Sequence, residues 1–245
     1  MPNYRLELAY DGTAYNGWQK QGNTERTLQG LLERALTEEL GEPIELAASG
    51  RTDAGVHALR QVCSFRTQRE LDCEAAAAAL RKRLPKDIGV LSLAPAAPRF
   101  HARLNCKEKT YVYHVWNSCR PNVFLRRYST TVAEPLDLAA MQSAAALLTG
   151  EHDYLGYCTG KPKKSTIRRI GRIAVERDGD EILFTYTGNG FLYNMVRILT
   201  GTLLEVGLGR RSIADAALAL TTLQRSDAGF TAPAQGLFLS EIKYE

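Results

Sequence analysis

The order of predicted elements in the first hundred residues is the feature that most constrains the fold of this chain. Alternating apolar residues predict strands over 4–10, 44–48, 60–67 and 88–93. Leucine and alanine at helical spacing predict one helix that Thr27 caps and Gly41 ends, and a second between Asp72 and Pro85. The resulting order, strand, helix, strand, strand, helix, strand, is that of a ferredoxin-like or RRM-like βαββαβ unit.

The second half of the chain repeats this order loosely, without a repeat in the sequence itself. Strands are predicted over 109–116, 170–177, 181–187 and 237–244, and helices over 138–148, 191–206 and 213–222. Asn189 is a candidate cap for the helix at 191–206. We therefore predict an α+β protein with two half-domains, residues 1–100 and 101–245, with largely antiparallel sheets and an active-site cleft between them. Pro95 and Pro98 mark the boundary.

The composition excludes several classes of protein. No apolar run reaches the roughly 18–20 residues that a membrane-spanning helix needs, and the N-terminus lacks the pattern of a signal peptide. The five cysteines and four histidines show no ligand spacing, which argues against a disulfide framework or a metal site. We expect a cytoplasmic protein without a metal.

The segment from Gly50 to Ala58 is the sharpest candidate for chemistry. It places Asp53 in a loop between two predicted strands, with Arg51 two residues earlier and Gly55 two residues later. A neighbouring cation favours the ionised carboxylate, which can act as a nucleophile or a general base. The alternative is an ordinary turn in which Asp53 only caps a backbone amide.

Two further segments carry candidate residues. Tyr111 and Tyr113 share one face of a predicted strand, where an aromatic ring either stacks on a nucleic-acid base or fills the core, and we expect at most one to be functional. Arg197 lies in an otherwise apolar helix. It needs a carboxylate partner if it is buried, or it extends to solvent if it is not.

Basic residues are concentrated in three short stretches, although the formal net charge is only +4. Such clusters suit contacts to phosphates, while any one of them alone is more typical of a solvated surface. The clusters are Lys161, Lys163, Lys164, Arg168, Arg169 and Arg172; Arg81, Lys82, Arg83 and Lys86; and Arg120, Arg126 and Arg127.

The residues alone leave three functions open. One is an RNA-modifying enzyme that uses Asp53, and another is a non-catalytic RNA-binding module. A third is a carboxylate-dependent hydrolase of RNA or nucleosides, which would need a second carboxylate or a metal. The sequence contains no phosphate-binding loop motif, no dinucleotide-binding glycine motif and no Gly-x-Ser-x-Gly motif of serine hydrolases. These absences argue against nucleotide hydrolysis, dinucleotide redox chemistry and serine hydrolysis.

Short segments along nearly the whole chain form an ordered series. They are Tyr10-Asp11-Gly12-Thr13, Gly17-Trp18-Gln19, Gly50 to Ala58, Phe100-His101-Ala102-Arg103, Lys109 to Tyr113, Gly150-Glu151-His152-Asp153, Gly188 to Arg197 and Ala228 to Pro233. Taken together, these segments resemble the tRNA pseudouridine synthase A family. The chain departs from the family pattern at Tyr154 and Tyr157, where phenylalanine is frequent, and at Phe230, which is bulkier than usual.

The resemblance implies a function and a set of site residues. It implies conversion of uridine to pseudouridine at nucleotides 38, 39 and 40 of the tRNA anticodon arm, by a homodimer without a cofactor. Asp53 would be the nucleophile, Arg197 its partner, and Tyr111 the residue that stacks on the target base and assists proton transfer. Residues expected to contact the RNA are Arg51, His57, Lys163, Lys164 and Arg168, besides Tyr111.

Overall fold

The computed structural model describes residues 1–160, 162 and 164–244, and it divides the chain into two units. The first unit contains Met1–Lys107 and the segment from Phe238 onward, and the second contains Glu108–Leu237. The predicted division at residues 100 and 101 assigned the last strand to the second half. That strand belongs to the first unit because it pairs in parallel with the strand that begins at His57.

The first unit is a mixed sheet with two helices. Its sheet has the order β4-β1-β3-β10, in which β1 is antiparallel to both of its neighbours and β10 is parallel to β3. The short strand β2 pairs with β3. The elements are β1 (Asn3–Tyr10), α1 (Leu28–Leu40), β2 (Ala47–Ala48), β3 (His57–Arg66), α2 (Cys73–Arg83), β4 (Ile88–Ala96) and β10 (Leu237–Lys243).

The capping residues predicted for the two helices of the first unit are confirmed. The Thr27 side chain accepts a hydrogen bond from the Gly30 amide, and Gly41 ends α1 in the left-handed conformation, with φ of 69°. Asp72 accepts from the first amides of α2. The leucines of α1 that recur at helical spacing are buried, which accounts for the confirmed helix: Leu28, Leu32, Leu36 and Leu40.

One predicted strand of the first unit is shorter than its sequence suggested. The prediction covered residues 44–48, but β2 contains only Ala47 and Ala48. Side chains of α1 satisfy the preceding amides: Ile44 donates to Thr37 Oγ1 at 3.1 Å and Leu46 donates to Glu33 Oε1 at 3.0 Å. Those amides are therefore not engaged in strand pairing.

The second unit is an antiparallel sheet with the order β5-β9-β8-β7, and β6 pairs in parallel with β5. The predicted hairpin is confirmed, with Gly179 at its turn in the left-handed conformation, φ of 57°. The elements are β5 (Glu108–Trp116), β6 (Thr130–Thr131), α3 (Leu138–Leu147), β7 (Gly150–Asp153), β8 (Ile167–Asp178), β9 (Glu181–Gly188), α4 (Met195–Gly207) and α5 (Leu218–Thr222).

Two predictions for helices in the second unit are wrong in their bounds. The helix predicted from Phe191 begins only at Met195, and Asn189 does not cap it, because its Oδ1 accepts from the Arg169 amide at 3.1 Å. The helix predicted over 213–222 is a 3-10 helix, Ala214–Ala217, followed by the short α5.

The two tyrosines that depart from the family pattern are fully buried, and their hydroxyls find acceptors inside the second unit. Tyr154 donates to the carbonyl of Leu148 at 2.8 Å, and Tyr157 donates to the carbonyl of Ala216. A buried hydroxyl needs such an acceptor, because an unpaired buried polar group is costly. Both tyrosines therefore fit their buried positions.

The structure confirms an α+β protein whose sheets are mostly antiparallel. In the part of the chain that it describes, no helix is both long and apolar enough to cross a bilayer. Within those same residues, His, Cys, Asp and Glu side chains form no group of three placed to hold a metal ion.

Candidate active site

The loop that carries Asp53 connects β2 to β3 within the first unit, and it contains a turn at Asp53. The Val56 amide donates to the Asp53 carbonyl at 3.1 Å, and Gly55 has φ of 78°, a conformation that glycine adopts without strain. Asp53 is half-buried and Arg51 is exposed. The turn therefore fixes the backbone of Asp53, and Arg51 points towards solvent from the same loop.

The segment that follows β1 binds the Asp53 loop directly. The Trp18 amide donates to the Thr52 carbonyl at 3.0 Å, and the hydroxyls of Tyr10 and Thr52 are hydrogen-bonded at 2.8 Å. Gly17 has φ of 88°, and a Cβ there would lie 2.9 Å from the Thr52 oxygen. Two segments that the sequence analysis treated separately thus form one structure, and Gly17 allows their close approach.

A buried hydrogen-bond pair holds the start of the same loop. The Ser49 hydroxyl donates to Gln61 Oε1 at 2.6 Å, and Gln61 Nε2 donates to the Gly50 carbonyl at 2.9 Å. Ser49 and Gln61 are fully buried, so these bonds are shielded from water. Sequence reasoning missed Ser49, and it gave Gln61 no role although the residue follows the loop motif.

His57 lies buried at the end of the Asp53 loop. Only 1% of the residue is exposed, its Nδ1 accepts the Gly12 amide at 3.0 Å, and its ring stacks on Phe238 at 4.6 Å between centroids. A Cβ on Gly12 would lie 2.0 Å from the Val56 oxygen, so the two segments touch at this point. His57 therefore links the end of the Asp53 loop to the segment that follows β1.

Of the two candidate tyrosines on β5, Tyr113 is a core residue. It is fully buried, and its hydroxyl lies 2.8 Å from the carbonyl of Pro233 and 2.6 Å from Thr130 Oγ1. Burial raises the pKa of this hydroxyl, which therefore remains protonated. Tyr111 pairs with Tyr186 of β9 and packs edge-to-face against Phe191, with 5.2 Å between the ring centroids. Tyr111 is also buried, with 7% of the residue exposed.

The guanidinium of Arg197 is held at two atoms within the second unit. Nε donates to the Ala232 carbonyl at 2.7 Å, and Nη1 donates to Asn194 Oδ1 at 2.9 Å. The side chain is half-buried and does not extend freely to solvent. Two directed bonds to a planar group fix its orientation as well as its position.

The segment 228–233 reaches Arg197 because glycines let it lie against α4. A Cβ on Gly201 would be 1.9 Å from the Phe230 carbonyl oxygen, and the Gly229 amide donates to Thr202 Oγ1 at 2.8 Å. The Ala232 amide in turn donates to the Arg197 carbonyl at 3.0 Å. The segment Ala228 to Pro233 therefore holds Arg197, which belongs to the segment Gly188 to Arg197.

The basic residues predicted to contact RNA differ in their surroundings. Lys164 is exposed, and Lys163 lies outside the described residues. Arg168 is half-buried, with Nη1 donating to the carbonyls of Ser165 at 2.8 Å and Ile167 at 2.7 Å. Partial desolvation lowers the pKa of its guanidinium. Arg168 is therefore bonded to the backbone of residues just before it, whereas the side chain of Lys164 is exposed to solvent.

The predicted site residues are divided between the two units. Asp53, Arg51 and His57 belong to the first, and those of the second unit are Tyr111, Lys164, Arg168 and Arg197. Within its own unit, Asp53 is held through the backbone of its loop and Arg197 through its guanidinium. The bonds of the loop fix the backbone of Asp53, and two bonds orient the guanidinium of Arg197.

Comparison with known proteins identifies the family. A family model described as tRNA pseudouridine synthase matches residues 8–105 and 144–245. A protein named tRNA pseudouridine synthase A from Bacillus sp. (strain KSM-64) is 42% identical over all of both chains. A protein of the same name from Halalkalibacterium halodurans is 46% identical over 97% of this chain and 90% of its own length. Another, from Moorella thermoacetica, is 44% identical over the full length of both chains. The chain belongs to the tRNA pseudouridine synthase family, whose members are isomerases.

Proposed function

We propose that this enzyme makes pseudouridine in the anticodon stem-loop of tRNAs, at nucleotides 38, 39 and 40, with Asp53 as nucleophile and without a cofactor. The observation that carries the role of Asp53 is the set of bonds that hold its loop, from Trp18, Tyr10 and Gln61. An ordinary surface turn does not need buried partners on both sides. The resemblance of the chain to its family supports the choice of nucleotides.

The reaction needs a positioned base or nucleophile and no outside reagent. The bond from uracil N1 to the sugar C1′ breaks, a bond from C5 to C1′ forms, C5 loses a proton and N1 gains one. There is no net oxidation or reduction. An ionised Asp53 is suited to attack C1′, to attack C6 of the base, or to remove a sugar proton. Each of these routes uses the same charged carboxylate.

We assign the remaining residues to the handling of the flipped nucleotide. Arg197 pairs with Asp53 and keeps it ionised, because a nearby cation favours the charged carboxylate. Tyr111 stacks on the target base and assists proton transfer, while Arg51 contacts the RNA beside the displaced nucleotide. Taking a base out of its stack costs a few kcal/mol, which contacts to phosphates offset. The enzyme acts as a homodimer, and each tRNA touches both subunits; the family resemblance supports this.

The choice of nucleotides is tested with tRNA transcripts labelled with tritium at C5 of uridine. We expect one tritium released per tRNA when a single uridine stands at 38, 39 or 40, and none when all three positions carry cytidine. Chromatography of the nucleosides should show pseudouridine in an amount equal to the tritium released, since each conversion expels the one label at C5. Release that persists without uridine at these positions would overturn the anticodon-arm assignment, and cleaved nucleosides would indicate a hydrolase.

The basic stretch at 161–172 makes a separate prediction about tRNA affinity. Replacing Lys163 and Lys164 with alanine should weaken binding and reduce the slope of log affinity against log salt by about 0.7–0.9 for each lost phosphate contact. The measurement is a filter-binding titration at several salt concentrations.

A charge-matched control for this prediction lies in the first unit. Arg99 and Lys107 are both exposed and lie outside the three basic clusters, and their replacement by alanine removes the same two charges. If both double variants lower affinity and slope equally, net charge alone explains the loss. Unchanged binding in the Lys163 and Lys164 variant would mean that this stretch is only a solvated surface.

A further inference from the structure

Asn194 has a backbone conformation that side chains rarely adopt. Its φ is 60° and its ψ is 3°, directly before α4. Among the described residues, the only other non-glycine residue with positive φ is Leu223. Asparagine tolerates this region better than most residues, but the conformation still costs free energy and persists only where the surroundings impose it. The contacts of the Asn194 side chain should therefore account for its positive φ.

Helix capping does not explain Asn194. It stands at the N-cap position of α4, yet its side chain makes no capping hydrogen bond to the first amides of the helix. Its Oδ1 accepts from Arg197 Nη1 at 2.9 Å, and its Nδ2 donates to Thr159 Oγ1 at 2.8 Å. The side chain thus links Arg197 to the segment that immediately precedes the basic stretch.

We propose that Asn194 is a positioning residue that sets the orientation of the Arg197 guanidinium. Ala232 accepts from Nε on one side and Asn194 accepts from Nη1, so these two bonds contribute to the orientation of the planar group. Without Asn194 the guanidinium loses one of the bonds that orient it and gains rotamer freedom. The left-handed backbone directs the Asn194 amide towards Arg197 instead of towards the helix amides. This inference rests on the catalytic role proposed for Arg197.

The test compares two replacements that both tolerate the left-handed backbone. Asn194→Gly removes the side chain and should lower kcat by about 10- to 100-fold, because small misplacements of catalytic groups have effects of this size. Its KM for tRNA should stay within about twofold, since Arg197 acts on the reaction step. Asn194→Asp retains an oxygen that accepts from Arg197. Its kcat should therefore be at least about tenfold higher than that of Asn194→Gly.

Leu223 provides a matched control for backbone effects. Leu223→Gly relieves the same positive φ, with 60° in both residues, at a position outside the proposed machinery. Its kcat and KM should equal those of the unchanged enzyme. If the Asn194→Gly variant also keeps its kcat within about twofold, or if aspartate does no better than glycine, the positioning role is overturned.

Arg197→Met, measured in parallel, separates this inference from the proposed function. If Arg197→Met loses activity while Asn194→Gly keeps it, only the role of Asn194 is overturned. If Arg197→Met is fully active, the proposed role of Arg197 falls and the inference falls with it. Loss of kcat in both variants, with KM preserved and partial recovery by aspartate, is the result we expect.

Discussion

Replacing Asp53 with asparagine is expected to reduce pseudouridine formation by about 10⁴-fold or more, the scale seen when a catalytic nucleophile or its partner is removed. Asparagine keeps the shape of the side chain and removes its negative charge. The backbone bonds that hold the loop, from the Val56 amide to Asp53 and from Trp18 to Thr52, do not involve the carboxylate. Affinity for tRNA should therefore change by no more than about twofold. The measurement is single-turnover tritium release, with filter binding beside it.

A control for this substitution is Asp178→Asn, which makes the same chemical change at an exposed turn between β8 and β9. It should leave both turnover and binding unchanged. Turnover by the Asp53→Asn enzyme above about one hundredth of the original rate would contradict a nucleophile at this position, because a neutral amide cannot replace the carboxylate.

Replacing Arg197 with lysine or methionine is expected to give the second largest effect, a loss of about 10²- to 10³-fold in kcat, comparable to the loss of one electrostatic catalytic group. Lysine keeps the charge but lacks the rigid fork that donates to both Ala232 and Asn194. Its ammonium is a mobile point charge, so its orientation would no longer be fixed. Arg210→Lys, at an exposed ion pair with Glu134, should have no effect on kcat.

A double-mutant cycle tests whether Arg197 acts through Asp53. If the two side chains work as a pair, adding Arg197→Met to Asp53→Asn should cost little more than Asp53→Asn alone. Losses that simply multiply in the double variant would show that the two residues act independently. Melting temperatures of all variants establish that each protein is folded.

Much of the fold follows from local sequence patterns. The caps at Thr27 and Asp72 and the turn at Gly179 depend on a few adjacent residues, and the structure has them where the sequence predicts them. Apolar alternation is likewise a local property, which is why β1 and β5 were predicted nearly to the residue.

Features that depend on distant residues were not predictable in this way. The apolar spacing of Phe191 and Met195 imitates a helical face, whereas the backbone turns at Asn194 and the helix begins one residue later. The pairing of β10 with β3 joins residues from opposite ends of the chain. The role of His57 likewise depends on Gly12 and Phe238, contacts that no pattern around residue 57 indicates.

In the candidate site, too, features set by adjacent residues were predictable and contacts between distant residues were not. The motifs pointed to Asp53, Tyr111 and Arg197 as functional residues, but they gave no role to the residues that hold these three in place. Periodicity reports which side chains face the core, and it does not report which backbone carbonyl a guanidinium will reach. The supporting residues found in the structure are Gln61 and Trp18 for the Asp53 loop, Phe191 for Tyr111, and Asn194 and Ala232 for Arg197.

The families of the matched proteins exclude a purely RNA-binding role for the chain as a whole, although its basic stretches and sheets suit RNA. The role proposed for Asp53 in the catalytic step is the claim that most needs a test. The most direct test is a crystal structure of the Asp53→Asn enzyme bound to tRNA. We predict that a flipped uridine from the anticodon arm places C1′ or C6 within about 3–3.5 Å of the residue-53 side chain, the separation of a near-attack geometry. A target uridine that is flipped against a different carboxylate, or that stays stacked in the RNA, would contradict the role of Asp53.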